Sequence, residues 1–197
     1  MNSSWDREQI SGVVLAGGKS SRFGQDKGLF LFRGKALVEH AIDILKPLCS
    51  EILISTNNPD AYGFTGQKTI ADIHAGCGPI GGMHSGLFNA SGQIVLFLGC
   101  DMPFVDSKVF SFLLENIAVN HAAVAMHNGF RETLCMALKK ESLPLVEQAI
   151  AEKKYKILDM LEMLSVSYPE LSTQSFFHRD MFHNINFRED LPPDRKQ

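Results

Sequence analysis

Short apolar runs of strand length alternate along the chain with longer stretches in which apolar residues recur every three or four positions. Val13–Leu15 is the first apolar run and predicts a strand. Residues 36–48 place Leu37, Ala41, Ile44, Leu45 and Leu48 at helical spacing. Ile52–Ile54 predicts a second strand that ends at Ser55-Thr56-Asn57, and Thr69–Ala71 a short third one ending at Asp72. A glycine-rich loop, GCGPIGG at 76–82, opens a helix near Met83–Asn89. Ile94–Leu98 is the strongest strand pattern, followed by GCDMP. Phe110, Leu113, Leu114 and Ile117 mark the next helix. Ala122–Met126 and Leu134–Leu138 read as strands joined by a turn at Asn128-Gly129. Pro144 then opens a helix, and a further short helix covers Ile157–Met163.

Strands alternating with helices predict an α/β fold, with a mostly parallel central sheet and helices on both faces. In such sheets ligands bind beyond the carboxyl ends of the strands. Those ends carry Gly17-Gly18, Asn57, Asp72 and Asp101. No repeat, low-complexity segment or linker divides the chain, so residues 1–197 read as a single domain with room for a buried core.

Composition narrows the function classes. Hydrophobic residues at 45% and charged residues at 21% are those of a soluble globular protein. A formal net charge of −3, without any Lys/Arg block, argues against nucleic acid as a partner. The polar, partly acidic start MNSSWDREQISG does not read as a signal peptide, and apolar runs such as Ile94–Leu98 are too short to span a membrane. The 4 cysteines include no C-x-x-C pair, which predicts reduced thiols and a cytoplasmic protein.

The stretch GVVLAGGKSS at 12–21 superficially resembles a P-loop. A P-loop ending in Gly18-Lys19-Ser20 needs glycine at 13, where the chain has Val13. The residues in the gap, Val13-Val14-Leu15, belong in a strand rather than around phosphates, and no G-x-G-x-x-G is present. What remains is a strand running into GGKSSRFGQDKG, a loop with bare backbone amides and the cations Lys19, Arg22 and Lys27. That combination suits a triphosphate.

Asp101, at the mouth of the strongest apolar strand, reads as a hard-cation ligand; Asp106 or Ser107 is better placed to cap the following helix. Lys27 alone would be an ordinary surface lysine; with its companions in the loop it reads equally as a phosphate contact, and Asp101 on a neighbouring strand favours that reading. Asp72 serves equally as a turn former or as a ligand contact beside Gly78, Pro79 and Gly82. The 7 histidines show no metal-binding spacing, and no G-x-S-x-G is present. A reaction without a protein nucleophile fits this inventory.

Taken in order, LAGGKSSRFGQDK (15–27), Ile70-Ala71-Asp72, GPIGG (78–82), GCDMP (99–103) and Asn184-Ile185-Asn186 resemble the signature pieces of the molybdenum cofactor guanylyltransferase family. The resemblance runs from Gly12 to about Leu191 and implies a Rossmann-like nucleotidyltransferase fold. It implies transfer of GMP from GTP to the molybdopterin-bound molybdenum cofactor, with loss of pyrophosphate and dependence on Mg²⁺. Leu15, Ala16, Gly17 and Gly18 would contact the nucleotide, together with Ser55, Asn57, Asp72, Gly78, Pro79 and Gly82. Lys27 and Arg22 would neutralise phosphate charge, Asp101 would hold Mg²⁺ and phosphates, and Asn184 and Asn186 would lie on the pterin side. GTP and molybdopterin cofactor are the expected partners, with transient contact to proteins that deliver the cofactor or mature molybdoenzymes. Three positions depart from the usual pattern: Ser55 where Asn is frequent, Arg131-Glu132-Thr133 where a Pro-containing stretch is frequent, and Phe187-Arg188 in place of Thr-Pro. The alternatives are a cytidylyltransferase of the same fold acting on that cofactor or a small phosphorylated alcohol, and a non-catalytic nucleotide-binding module. A sugar-1-phosphate nucleotidyltransferase is a weaker fit, because 197 residues leave no room for the extra C-terminal domain many of them carry.

Overall fold

The structure, a computed structural model, describes residues 5–17 and 26–185. The elements in chain order are β1 (Ile10–Leu15), β2 (Leu31–Phe32), β3 (Lys35–Ala36), α1 (Leu37–Leu45), β4 (Glu51–Ser55), β5 (Lys68–Ile70), α2 (Pro79–Asn89), β6 (Ile94–Gly99), α3 (Ser107–Asn116), β7 (Ala122–His127), β8 (Phe130–Lys139), α4 (Leu143–Ala151), α5 (Ile157–Leu161) and β9 (Val166–Ser167). Seven strands form one sheet in the order β5-β4-β1-β6-β8-β7-β9. Neighbours pair in parallel except where β8 runs between β6 and β7, antiparallel to both. The sheet is therefore mostly parallel, as the alternating pattern predicts.

The two faces are covered differently. On one, Val14, Ile54 and Leu96 pack with Val38, Ala41 and Leu45 of α1 and with Val109, Phe110 and Leu113 of α3. On the other, Val13, Leu53 and Phe97 pack with Met83 and Leu87 of α2, Val146 of α4 and Met160 of α5. Each of these strands is buried on both sides, which is why its sequence is continuously apolar rather than alternating.

Gly12, the residue that fails the P-loop test, has a packing role. A Cβ there would stand 2.6 Å from Ile52 Cδ1, 3.1 Å from Cys49 Sγ and 3.3 Å from Leu45 Cβ. Its absence lets α1 sit close on the sheet. Gly12→Ala is expected to destabilise the fold by about 1–3 kcal/mol through overpacking. That corresponds to roughly 2–4 °C in Tm per kcal/mol for a chain of this size. An unchanged thermal melt would show that these neighbours yield freely.

Several elements differ from expectation. α2 begins at Pro79 rather than near Met83, so the GPIGG stretch is the first turn of the helix. β8 begins at Phe130, earlier than the apolar pattern at Leu134. The third strand ends at Ile70, so Ala71 is outside it and Asp72 lies two residues beyond. The β2–β3 hairpin, the 3-10 segment Pro59–Thr65 and β9 carry no pattern that announces them. The turn at Asn128-Gly129 is present, with both residues at positive φ as a two-residue hairpin turn requires.

All four cysteines are free and buried. Burial pushes the Cys49 thiol up to about 12 and raises those of Cys100 and Cys135 well above their usual range. These three thiols are protonated and unreactive at neutral pH. Among the described residues no helix is long and apolar enough to cross a membrane.

Candidate functional site

Four parallel strands end in one row. Leu15 of β1 stands opposite Ser55 of β4 and Gly99 of β6, and Ser55 stands opposite Ile70 of β5. β1 has the earlier crossover on one flank and the later one on the other, so a crevice opens where the strand order reverses. Gly17, Asn57, Asp72 and Asp101 each lie two residues beyond this row. The register of the sheet thus brings together residues that are far apart in sequence.

Asp101 and Lys27 meet in the crevice. Lys27 Nζ donates to Asp101 Oδ2 at 2.6 Å, with 18% of the lysine side chain and 15% of the aspartate side chain exposed. Lys27 is therefore held, and is not a solvated loop lysine. Asp101 sits in the turn after β6, where the Met102 N–H donates to the Gly99 carbonyl at 3.3 Å. The helix cap is Asp106, whose carboxylate accepts from the Lys108 N–H, so Asp101 is left for the site. Among the described residues no three His, Cys, Asp or Glu side chains gather as a metal cage. A single carboxylate fits a cation carried on a triphosphate, because Mg²⁺ takes most of its ligands from phosphates and water.

Across the row, Asn57 and Asp72 form a reciprocal pair. Asn57 Nδ2 donates to Asp72 Oδ2 at 3.2 Å, and the Asp72 N–H donates to Asn57 Oδ1 at 3.2 Å. Asn57 is exposed at the rim and Asp72 is half-buried beside it, so Asp72 is braced and still reaches solvent. Ser55 is buried and is a structural neighbour of the helix opposite: a Cβ on Gly82 would come within 2.6 Å of its hydroxyl. A Cβ on Gly81 would likewise stand 2.9 Å from the His74 carbonyl. Gly78, at φ +60° and ψ −147°, occupies backbone space open to glycine alone and turns the chain into Pro79 at the first position of α2. These glycines press the first turn of α2 against the ends of β1, β4 and β5.

Leu15 and Ala16 are buried, and the Ala16 N–H donates to the Ser55 carbonyl at 2.9 Å. Gly17 is exposed, and among the described residues a Cβ there would meet only the Ser55 carbonyl, at an ordinary 3.8 Å. None of the described residues demands glycine at 17.

Asn184 reaches the same end of the sheet by way of the tail. The next residue, Ile185, donates its N–H to the Asp101 carbonyl at 3.0 Å and is buried with Phe30, Phe32 and Leu37. Asn184 Oδ1 is buried without a hydrogen-bond partner among the described residues. Upstream, Phe182 stacks on His127 with ring centroids 4.9 Å apart, and His127 Nε2 lies 2.8 Å from Glu132 Oε1. The stretch Arg131-Glu132-Thr133 now has an explanation. Arg131 and Glu132 pair with Met126 and Ala125 of β7, and Arg131 covers the Tyr168 ring, all compatible with a strand that has no proline. Gly18, Lys19, Arg22, Asn186 and Phe187-Arg188 lie outside the described residues.

Sequence reasoning missed Tyr62 and Asp26. Tyr62 is fully buried, and its hydroxyl donates to Asp26 Oδ1 at 2.5 Å. No periodicity links two such distant residues; the one local sign is Gly28, where a Cβ would stand 2.5 Å from the Tyr62 hydroxyl.

A lysine–carboxylate pair between glycine-lined strand ends, at the reversal point of a mostly parallel sheet, lies where α/β proteins of this topology bind their ligands. The profile of the MobA-like NTP transferase domain matches residues 12–166, and the chain belongs to that family. It is 37% identical over 182 residues to the molybdenum cofactor guanylyltransferase of Yersinia pseudotuberculosis serotype O:1b (strain IP 31758), covering 90% of each chain. It is 34% identical over 187 residues to the molybdenum cofactor guanylyltransferase of Pasteurella multocida (strain Pm70), covering 92% of this chain and 97% of that one. Its fold matches the crystal structure of molybdopterin-guanine dinucleotide biosynthesis protein A from Archaeoglobus fulgidus with a TM-score of 0.77 at 28% identity, over 92% of this chain and 94% of that one.

Proposed function

We propose that this chain is a guanylyltransferase that moves GMP from GTP onto the phosphate of molybdopterin-bound molybdenum cofactor, within a single cytoplasmic domain. The observation that carries the reading is the Lys27–Asp101 pair at the mouths of β1 and β6, in a chain whose relatives are named for this reaction. A phosphate oxygen of the cofactor attacks the α-phosphorus of GTP. The bond from that phosphorus to the oxygen bridging to the β-phosphate breaks, and pyrophosphate leaves with the electron pair. No protein nucleophile is required, so the residues act by positioning and by offsetting charge. Lys27 and Arg22 would offset the charge that builds on the leaving group, while Asn57 and Asp72 serve the nucleoside end. Mg²⁺ held by Asp101 would neutralise phosphate charge and polarise the reacting phosphoryl group. Asn184 and Asn186 take the pterin side, where proteins delivering the cofactor or receiving the product would approach.

Gly17 supplies the test of base choice. In the family this chain resembles, Leu-Ala-Gly-Gly accompanies guanine and Leu-Ala-Ala-Gly accompanies cytosine. Among the described residues a Cβ at 17 would meet nothing closer than the Ser55 carbonyl at 3.8 Å, which supports reading glycine there as serving the ligand. A methyl at 17 crowds the larger purine more than a pyrimidine. Wild type is expected to prefer GTP over CTP, and Gly17→Ala to shift that preference by roughly 10- to 200-fold, the worth of one methyl in a pocket. The ratio of kcat/KM for the two nucleotides in both proteins measures it. A wild-type preference for CTP would replace the guanylyltransferase reading with the cytidylyltransferase one. Binding of GTP without pyrophosphate release, in the presence of cofactor and Mg²⁺, would leave a non-catalytic module.

A further inference from the structure

One buried hydroxyl touches both the end of β1 and the turn that carries Lys27. Tyr62 belongs to the 3-10 segment Pro59–Thr65 that follows β4, and its side chain is completely buried. Its Oη donates to Asp26 Oδ1 at 2.5 Å and lies 3.4 Å from the Ala16 carbonyl. Asp26 is the N-cap of the turn that carries Lys27, and the same Oδ1 accepts the Gly28 N–H at 3.2 Å. Ala16 is in turn tied to β4 by its N–H to the Ser55 carbonyl.

Two further observations show that the site around the hydroxyl is built for it. Gly28 is buried, and any side chain there would collide with Tyr62 Oη at 2.5 Å and with its ring at 3.2 Å. Burial and the Asp26 carboxylate both push the phenol well above its usual range, so it stays a donor at every physiological pH. A core that needed only the ring would be served by phenylalanine. The hydroxyl is retained in a place where an unmet polar group would cost stability.

We propose that Tyr62 is a positioning residue for nucleotide transfer: through Asp26 it sets the turn that presents Lys27 to Asp101, and through the Ala16 carbonyl it holds the backbone leaving β1. The proposal rests on the nucleotidyltransferase reading of this site. The Tyr62 hydroxyl bonds to Asp26, the residue that precedes Lys27, and through it acts on the turn that carries the lysine. Its effect should therefore fall on the nucleotide and not on the pterin substrate.

The test compares Tyr62→Phe, Asp26→Ala and the double variant with wild type. Thermal melts accompany separate KM values for GTP and for molybdopterin cofactor. Tyr62→Phe is expected to raise KM for GTP about tenfold, the effect of one hydrogen bond of about 1.4 kcal/mol, and to leave KM for the cofactor within about twofold, since a factor of two is worth only about 0.4 kcal/mol. Asp26→Ala should do the same, and the double variant should be no worse than the poorer single one, because both changes break one unit. A lower Tm with unchanged KM for GTP would overturn the proposal and make the hydroxyl merely structural. Losses that multiply in the double variant, or an equal rise in both KM values, would overturn it too. If wild type fails to transfer GMP to the cofactor, the substrate reading falls separately. The same variants are then scored by calorimetric Kd for GTP and CTP, where a loss shared non-additively by Tyr62→Phe and Asp26→Ala upholds the positioning role. Wild type that binds neither nucleotide overturns both.

Discussion

Asp101→Asn is expected to lower kcat by two to three orders of magnitude while the chain still folds. Losing one preorganised electrostatic contact to a reacting group costs about 3–4 kcal/mol of transition-state stabilisation, which corresponds to a rate loss of about 10²–10³. Asn keeps the size of the side chain and its fit in the turn after β6. What it removes is the negative charge that Lys27 meets at 2.6 Å and that a phosphate-bound cation needs. The cost in stability is smaller. Exposed ion pairs contribute about 0–1 kcal/mol, while breaking a fully buried one costs about 3–5 kcal/mol. This pair lies between those limits, with 18% and 15% of its side chains exposed. Pyrophosphate release titrated against Mg²⁺, alongside a thermal melt, separates the two effects. Near-normal turnover with an unchanged Mg²⁺ requirement would remove Asp101 from the site.

Lys27→Ala is expected to lower kcat/KM for GTP by roughly 10²-fold or more, since a preorganised cation aimed at developing phosphate charge is among the largest single contributions to catalysis. From the loop sequence alone, this lysine reads as a group that packs little and whose loss leaves stability untouched. The ion pair changes that expectation. Without Lys27, Asp101 keeps a part-buried negative charge that no other ion pair among the described residues meets. The variant should therefore melt a few degrees lower, corresponding to about 1–2 kcal/mol, and should recover some of that deficit when Mg²⁺ is added without nucleotide. Initial rates and melts on one preparation test both halves. A large fall in Tm with intact kinetics would show that the lysine is structural.

The fold was legible wherever burial leaves a mark on composition. Ile94–Leu98 and Val13–Leu15 are apolar without alternation because helices cover both their faces, and that pattern has few competing explanations. The onset of α2 was hidden for the opposite reason. Gly81, Gly82 and Gly86 carry no side chain to show a helical stripe, yet they are what lets the helix lie against Asp72, Ser55 and Phe97. Asp101 could be read because it interrupts a strong apolar run, and Asp72 because it precedes a glycine turn. The bracing of Asp72 by Asn57, and of Asp26 by Tyr62, could not. Those contacts exist only once separate crossovers have returned to the same end of the sheet. The two-residue strands β2, β3 and β9 are too short to show any period.

The amide of Ile185 reaching the Asp101 carbonyl also couples two distant stretches of the chain mechanically. Asn184, whose Oδ1 is buried without a partner among the described residues, is thereby linked through one backbone bond to the residue whose carboxylate meets Lys27. A shift of either stretch is passed to the other, so whatever displaces Asn184 also tilts the turn that carries Asp101.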